Sequence, residues 1–264
     1  MDLGVEKLIG RKEGQVGWMI FNNPERRNAV SLEMWRAIPE VIAAFEADPE
    51  VRVVVFTGAG ERAFVSGADI SQFEAERNDA AAEARYSSAS AAANIAMAGL
   101  SKPSIAMIRG FCIGGGLAVA LTCDLRICTE DARFAIPAAR LGLGYGFGGI
   151  KALIDIVGPS VAKEILFTAR QFSADEALRV GLVNRIAPPG ELERIVRDYA
   201  AMIGANAPLT VKAAKLAVRE AMRDPEKRRL AEVEAAVAAC FDSADFKEGR
   251  TAFMEKRAPQ FRGA

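Results

Sequence analysis

Apolar residues fall along this chain in two alternating patterns, short continuous runs and helical stripes, separated by glycine-, proline- and asparagine-rich turns. Residues 17–21 (GWMIF) predict a strand that ends in the turn-rich NNPERRN. Ser31 then predicts a helix N-cap, because Met34, Trp35, Ile38, Val41, Ile42 and Phe45 follow at helical spacing. Residues 51–57 (VRVVVFT) form a buried-strand run stopped by GAGERAF. The polar, alanine-rich stretch after Gly67 favours helix to about Gly99. Residues 103–109 (PSIAMIR) predict another strand, running into GFCIGGG; residues 117–122 predict a short helix and 124–128 (DLRIC) the next strand. From about Val161 the strand signal fades. Residues 173–180 carry a serine cap with acids in the first turn and Gly181 as a stop. After PPGELER the pattern is helical to the end, with a break near Ala207 and Pro208.

Repeated strand–turn–helix units predict an α/β fold with layered sheets; periodicity alone leaves open a doubly wound sheet or a spiral of repeated turns. A chain of 264 residues, 51% of them apolar, can bury one large domain with or without a small appendage. The helical end, rich in Ala, Glu, Arg and Lys, has too little apolar surface for a core of its own. It is expected to pack on the main domain and on neighbouring subunits.

Composition narrows the chemistry. Lysine and arginine number 34 and so do aspartate and glutamate, a balance that argues against nucleic-acid and membrane partners but leaves room for one local basic pocket. No stretch reads as a leader or a membrane span, so a cytoplasmic protein is expected. The four cysteines (Cys112, Cys123, Cys128, Cys240) form no CxxC pair and read as reduced core thiols. There is no histidine, which removes the commonest general base, the usual nucleophile pairs and the commonest zinc ligand. Proton transfer is left to carboxylates, tyrosine, lysine, cysteine or water, and no metal site is expected.

Two glycine segments sit between a strand and a helical stretch: residues 64–70 (FVSGADI) and 110–116 (GFCIGGG). Glycine lets backbone N–H groups face a ligand, and a helix beginning just after Gly116 directs its positive end at the same point. Two N–H groups converging from separate segments form an oxyanion hole for a carbonyl that gains charge. Taken singly, each segment is equally a tight turn. Neither carries the Walker A lysine, and no dinucleotide fingerprint is present.

Together, FxxGADI and a later GxxxGGG running into a CD-containing strand resemble the crotonase (enoyl-CoA hydratase/isomerase) family. NPERRNAVS, SADEALRVGLVNRI and EGRTAFMEKR extend the resemblance over almost the whole chain. The resemblance implies a crotonase-like ββα spiral core over residues 1–200 and a C-terminal helical region over 201–264. That region would form homotrimers, often paired into hexamers. The implied substrate is an acyl-CoA thioester, with coenzyme A part of the substrate and no separate cofactor. The oxyanion donors would be the backbone N–H groups of Ala68 and Gly115, flanked by Gly67 and Gly114. Ser66, Asp69 and Ile70 would line the coenzyme A path, Arg26 or Arg27 would border the nucleotide, and Phe253 and Lys256 would touch a neighbouring subunit's ligand. On their chemistry alone, Arg26 and Lys256 read equally as surface charges, Asp69 as a helix cap, Asp124 as a strand-end anchor and Arg140 as one half of an ion pair.

The departures bear on the reaction. Hydratases of this family use two glutamates to position and activate water; this chain has Ala118 and Ala138 at those positions. A methyl group neither accepts nor donates the protons that hydration needs. One polar group returns in LGLGYGFGG, Tyr145, whose surroundings resemble the methylmalonyl-CoA decarboxylase branch, although that branch has a histidine where this chain has Ala68. Three readings follow. The first is a lyase that decarboxylates a malonyl-type acyl-CoA through its enolate, and it is favoured slightly. The second is a hydratase or isomerase using an unidentified acid or base. The third is a non-catalytic acyl-CoA-binding subunit.

Overall fold

The computed structural model describes residues 3–69 and 80–264. The chain opens with an antiparallel meander, β1 (Leu3–Val5), β2 (Leu8–Glu13) and β3 (Val16–Phe21), and passes through a turn to α1 (Leu32–Ala47). The Ser31 hydroxyl caps α1 by accepting the Met34 N–H at 3.3 Å, as its position before the helical stripe predicts. Every apolar position of that stripe is buried.

Three ββα turns follow. The first is β4 (Val53–Gly58), β5 (Ala63–Val65) and α2 (Ala80–Gly99); the second is β6 (Ser104–Ile108), β7 (Phe111–Ile113) and α3 (Gly115–Thr122). The third is β8 (Leu125–Thr129), β9 (Arg133–Ala135) and α4 (Phe147–Thr168), a helix broken by a non-helical Gly158 before Pro159. A two-residue strand β10 (Phe172–Ser173), the short helix α5 (Ala174–Arg179), β11 (Arg185–Ala187) and α6 (Leu192–Gly204) complete this part. Ser173 and Glu176 close the capping box at the start of α5.

Each turn sends one strand to each of two sheets. The larger sheet runs β1-β2-β3-β4-β6-β8-β11 and is parallel from β3 onward; the smaller runs β10-β9-β7-β5, parallel except at the β10 edge. This is the ββα spiral that the resemblance implies, and it settles the choice that periodicity leaves open. The central strand β4 is buried on both faces, which is why VVVF carries no polar alternation. Val54, Phe56, Ala106 and Ile108 face the main core, whereas Val53, Val55, Ile105 and Met107 pack under Leu192, Ile195 and Val196 of α6.

The chain ends in α7 (Pro208–Ala221), α8 (Leu230–Asp242) and α9 (Ala244–Glu255). Lys215 fastens α7 to the core through Asp124 (2.7 Å), whose carboxylate also accepts the Ser104 N–H (2.7 Å) and hydroxyl (2.9 Å). Asp124 is thus the strand-end anchor its sequence position suggests. α8 buries none of its residues in the single chain. Among the described residues, no helix is long and apolar enough to cross a membrane.

Candidate active site

The backbone bends at Gly67 (φ 115) and passes beside Val30, bridged at Ala68. The Val30 N–H donates to the Gly67 carbonyl (2.9 Å), and the Asp69 N–H donates to the Val30 carbonyl (3.1 Å). In such a parallel bridge the middle residue, Ala68, turns its own N–H to the opposite side. The second glycine segment lies on that side. Gly114 is the N-cap of α3, with φ 55, a conformation that leaves its neighbour's N–H open; Gly115 is the first helical residue. The Gly115 N–H is among those that a helix start leaves without an intrahelical acceptor.

The two segments lie side by side. A Cβ built on Gly115 would sit 3.8 Å from the Ala68 nitrogen and 3.7 Å from the Gly67 carbonyl carbon. Any side chain larger than methyl would therefore fill the space in front of the Ala68 N–H. A Cβ on Gly116 would lie 2.0 Å from the Val65 carbonyl oxygen, so only glycine lets α3 start against β5. The Gly114 N–H donates to the Ala135 carbonyl (2.8 Å), which ties the start of α3 to β9.

The turn after β3 forms the rim. Asn28 is fully buried in a left-handed conformation (φ 57); its carbonyl accepts the Asn23 N–H (3.0 Å), and its amide donates to Ala59 (2.9 Å) and Ala63 (2.7 Å). Neither asparagine is among the sequence-predicted site residues. The signal was present, since asparagine tolerates the left-handed region and flanks the PERR turn on both sides. The Ser66 N–H donates to the Arg27 carbonyl (3.1 Å) and its hydroxyl to the Arg26 carbonyl (3.3 Å), so the first glycine segment holds the two arginines by their backbone. Both arginine side chains are exposed, and the Arg27 guanidinium lies 5.1 Å over the Phe111 ring. Asp69 is buried, whereas Ile70 lies outside the described residues.

Ala118 stands in the first turns of α3, its N–H donating to Gly114 (3.0 Å); Ala138 stands in the 3-10 turn Pro137–Leu141. Both are half-buried, and Ala138 packs against the main core. Tyr145 packs on the same core, and its ring lies so close over Gly149 that a Cβ there would meet it at 2.7 Å. Its hydroxyl has no hydrogen-bond partner among the described residues. Burial pushes the phenol up to about 12, so it stands as a protonated donor at neutral pH. Arg140, read from sequence as an ion-pair partner, is instead exposed and unpaired among the described residues, because its 3-10 turn projects Ala139, Arg140 and Leu141 into solvent. Cys112, inside the second segment, is buried and its thiol is pushed well above the usual value by burial; Cys123 and Cys128 rise to about 12 for the same reason. These are core thiols.

Phe253 and Lys256 lie at the end of α9. Phe253 is 83% exposed and lines an apolar groove of about 690 Å³ with Phe241, Phe246 and Phe261; no wall of that groove comes from the glycine segments. A single chain does not assemble these two residues with the Ala68–Gly115 gap.

Comparison with known proteins identifies relatives of the whole chain. A profile of enoyl-CoA hydratase/isomerase matches residues 11–264. The short-chain-enoyl-CoA hydratase of Clostridium acetobutylicum is 39% identical over 253 residues, 96% of each chain. The crotonyl-CoA hydratase of Syntrophomonas wolfei is 36% identical over 260 residues, covering 98% of this chain and 99% of that one. The crystal structure of an enoyl-CoA hydratase from Bacillus anthracis superposes with a TM-score of 0.92 at 29% identity, over 98% of this chain and all of that one.

Proposed function

The chain belongs to the enoyl-CoA hydratase/isomerase family and is an enzyme acting on acyl-CoA thioesters, and on that premise we propose that it stabilises a thioester enolate between the Ala68 and Gly115 N–H groups and forms that enolate by decarboxylating a malonyl-type acyl-CoA. What supports the reading is that the two positions where the family's hydratases carry glutamates hold Ala118 and Ala138, and that Tyr145, pushed up to about 12 by burial, is a protonated donor at neutral pH.

In the proposed reaction the bond between the α carbon and the substrate carboxyl breaks. Its electron pair moves into the α carbon–carbonyl bond, and carbon dioxide leaves. Negative charge collects on the thioester oxygen, facing the two N–H groups. The α carbon then takes a proton from the Tyr145 hydroxyl, and solvent returns one to the phenolate. No base is required, because the substrate supplies its own electron pair. An apolar face also avoids the repulsion that carboxylates at positions 118 and 138 would exert on the substrate's own carboxylate.

The remaining assignments belong to the same proposal. Arg26, Ser66, Gly67, Asp69, Ile70 and Gly114 border the coenzyme A path, and residues 201–264 join subunits so that Phe253 and Lys256 reach a neighbour's ligand. A second reading, hydration of a 2-enoyl thioester, is favoured by the names of the two relatives above and would require a proton acceptor on the face occupied by Ala118 and Ala138. The test is incubation of the purified protein with malonyl-type thioesters in deuterated water. The proposal expects carbon dioxide and a product deuterated once at the α carbon. Water addition to crotonyl-CoA with no carbon dioxide release would return the chain to the second reading.

A further inference from the structure

A cavity of about 250 Å³ lies between the C-terminal end of α1, the start of β4 and the first turn of α7. Its ionisable lining is Glu46, Arg52, Lys102, Lys212 and Arg262, four cations and one anion, in a chain whose formal charge is zero. None of the lining comes from the glycine segments or from the Arg26–Arg27 turn, so this is not the acyl-CoA gap.

None of the four cations makes a close ion pair among the described residues, although Lys102 and Lys212 act on Glu46, and Arg262 on Glu248, at longer range. Lys102 is only 5% exposed and donates to the carbonyl oxygens of Phe45 (2.6 Å) and Asp48 (2.5 Å). Arg52 donates to the carbonyls of Gly204 (3.2 Å) and Phe261 (2.6 Å). Lys212 and Arg262 make no side-chain ion pair among the described residues. The nearby acids already have partners: Asp48 is held by Lys12, Asp124 by Lys215 and Glu248 by Arg257. Glu46 accepts the Ser101 N–H at 3.0 Å and a second hydrogen bond from its hydroxyl, so the lining itself carries three more cations than anions, and Asp245 just outside it accepts the Arg262 N–H (2.7 Å) and the Gly263 N–H (2.8 Å). Burial above all, with the Lys212 charge adding to it and Glu46 opposing, pulls the Lys102 ammonium below the ordinary lysine value. The first turn of α7 forms another wall, and its dipole has the same sign.

We infer that this cavity binds a small phosphate-bearing anion at a site separate from the acyl-CoA gap, with Lys102 and Arg52 as a fixed positive wall and Lys212 and Arg262 as the side chains that close on the ligand. A dianionic phosphate matches the charge surplus better than a single carboxylate, and its oxygens suit the planar fork of a guanidinium. The volume falls just below the range of pockets that hold drug-sized ligands, so a phosphate or a short phosphate monoester fits where a coenzyme A molecule does not.

The test is calorimetric titration of the full chain with inorganic phosphate and, separately, with glycerol phosphate, at constant ionic strength and with saturating free coenzyme A. Saturable binding of one equivalent is expected, weakened at least about tenfold in Lys212→Gln and in Arg262→Gln, since a charge-assisted hydrogen bond is lost in each. Tighter binding of the monoester would identify a phosphorylated metabolite as the ligand, and tighter binding of inorganic phosphate the free ion. Melting curves supply a second readout: phosphate should raise the melting temperature of the wild type and leave that of Lys212→Gln unmoved. Equal protection of both proteins, an equal effect of chloride, or loss of binding once coenzyme A is present would overturn the inference.

Discussion

The two walls of the candidate site are built on opposite principles. One is backbone: the Ala68 N–H is turned outward by the bridge to Val30, the Gly115 N–H is freed by a helix start, and the gap between the segments is so narrow that a Cβ on Gly115 would be in van der Waals contact with Gly67 and Ala68. The other, in the proposed reading, is side chain, with two methyl groups at Ala118 and Ala138 and one phenol at Tyr145. In the proposed reaction the backbone wall stabilises the thioester oxyanion. The side-chain wall has one proton donor and, among the residues identified on it, no proton acceptor. Charge stabilisation is thus separated from water activation, and a substrate that brings its own electron pair needs only the first.

The largest change should come from giving the second wall its missing groups. The double variant Ala118→Glu, Ala138→Glu is expected to raise crotonyl-CoA hydration by about 10²–10⁴-fold, the usual contribution of a positioned acid or base. It should also lower carbon dioxide release, because the substrate carboxylate then meets like charge. A hydration rate that does not rise would mean that the apolar face is not where water is handled.

Next in size is closing the backbone wall. Gly115 has an ordinary helical backbone, so Gly115→Val should leave the melting temperature within a few degrees while its side chain fills the space before Ala68. Turnover should drop about 10²–10³-fold, the typical result of losing one oxyanion donor. A folded variant with normal turnover would remove Ala68 and Gly115 from the mechanism.

Tyr145→Phe should have a smaller effect, a fall of about tenfold, below the full range for a positioned acid because water reaches a half-buried pocket. The phenol sits near 10 in the unfolded chain and about 12 in the folded one, so it stays protonated at neutral and mildly alkaline pH. The wild-type to variant ratio should therefore stay flat from pH 6 to about 9. Stability linked to this phenol should be lost only as the pH rises from about 10 through 12. A ratio that changes steeply near pH 7 would point to a different titrating group.

The smallest effect belongs to the residues that a single chain leaves outside the gap. Phe253→Ala and Lys256→Ala should each raise KM a few-fold with kcat unchanged, as expected when binding far from the reacting atoms is lost equally in ground and transition states. Light scattering should show trimers or their pairs; a monomer at micromolar concentration would deprive both residues of a ligand to touch.

The regular elements were readable because burial on both faces of a sheet leaves unbroken apolar runs, and because Ser31 and Ser173 mark helix starts that the structure confirms. The short strands β5 and β7 were not, since each is three residues long and runs into or lies inside a glycine segment that reads locally as a loop. Sequence located both glycine segments but not the reason they meet, which is the register of β5 against β7 and the close seat of Gly116 on Val65. Asn28 escaped notice because a buried amide bonding to two distant strand ends looks like any turn asparagine. The α9 residues could not be placed by a single chain at all, because their proposed role lies across a subunit boundary.

The central claim is that this site makes an enolate without activating water, and a head-to-head measurement of kcat/KM on one purified sample tests it. The substrates are a set of malonyl-type acyl-CoA thioesters, followed by carbon dioxide release, and crotonyl-CoA, followed by loss of the conjugated double bond. The account predicts that the best malonyl-type substrate exceeds crotonyl-CoA by at least about 10²-fold, the lower bound for one missing acid–base group. Crotonyl-CoA hydration as fast as, or faster than, every decarboxylation would contradict it.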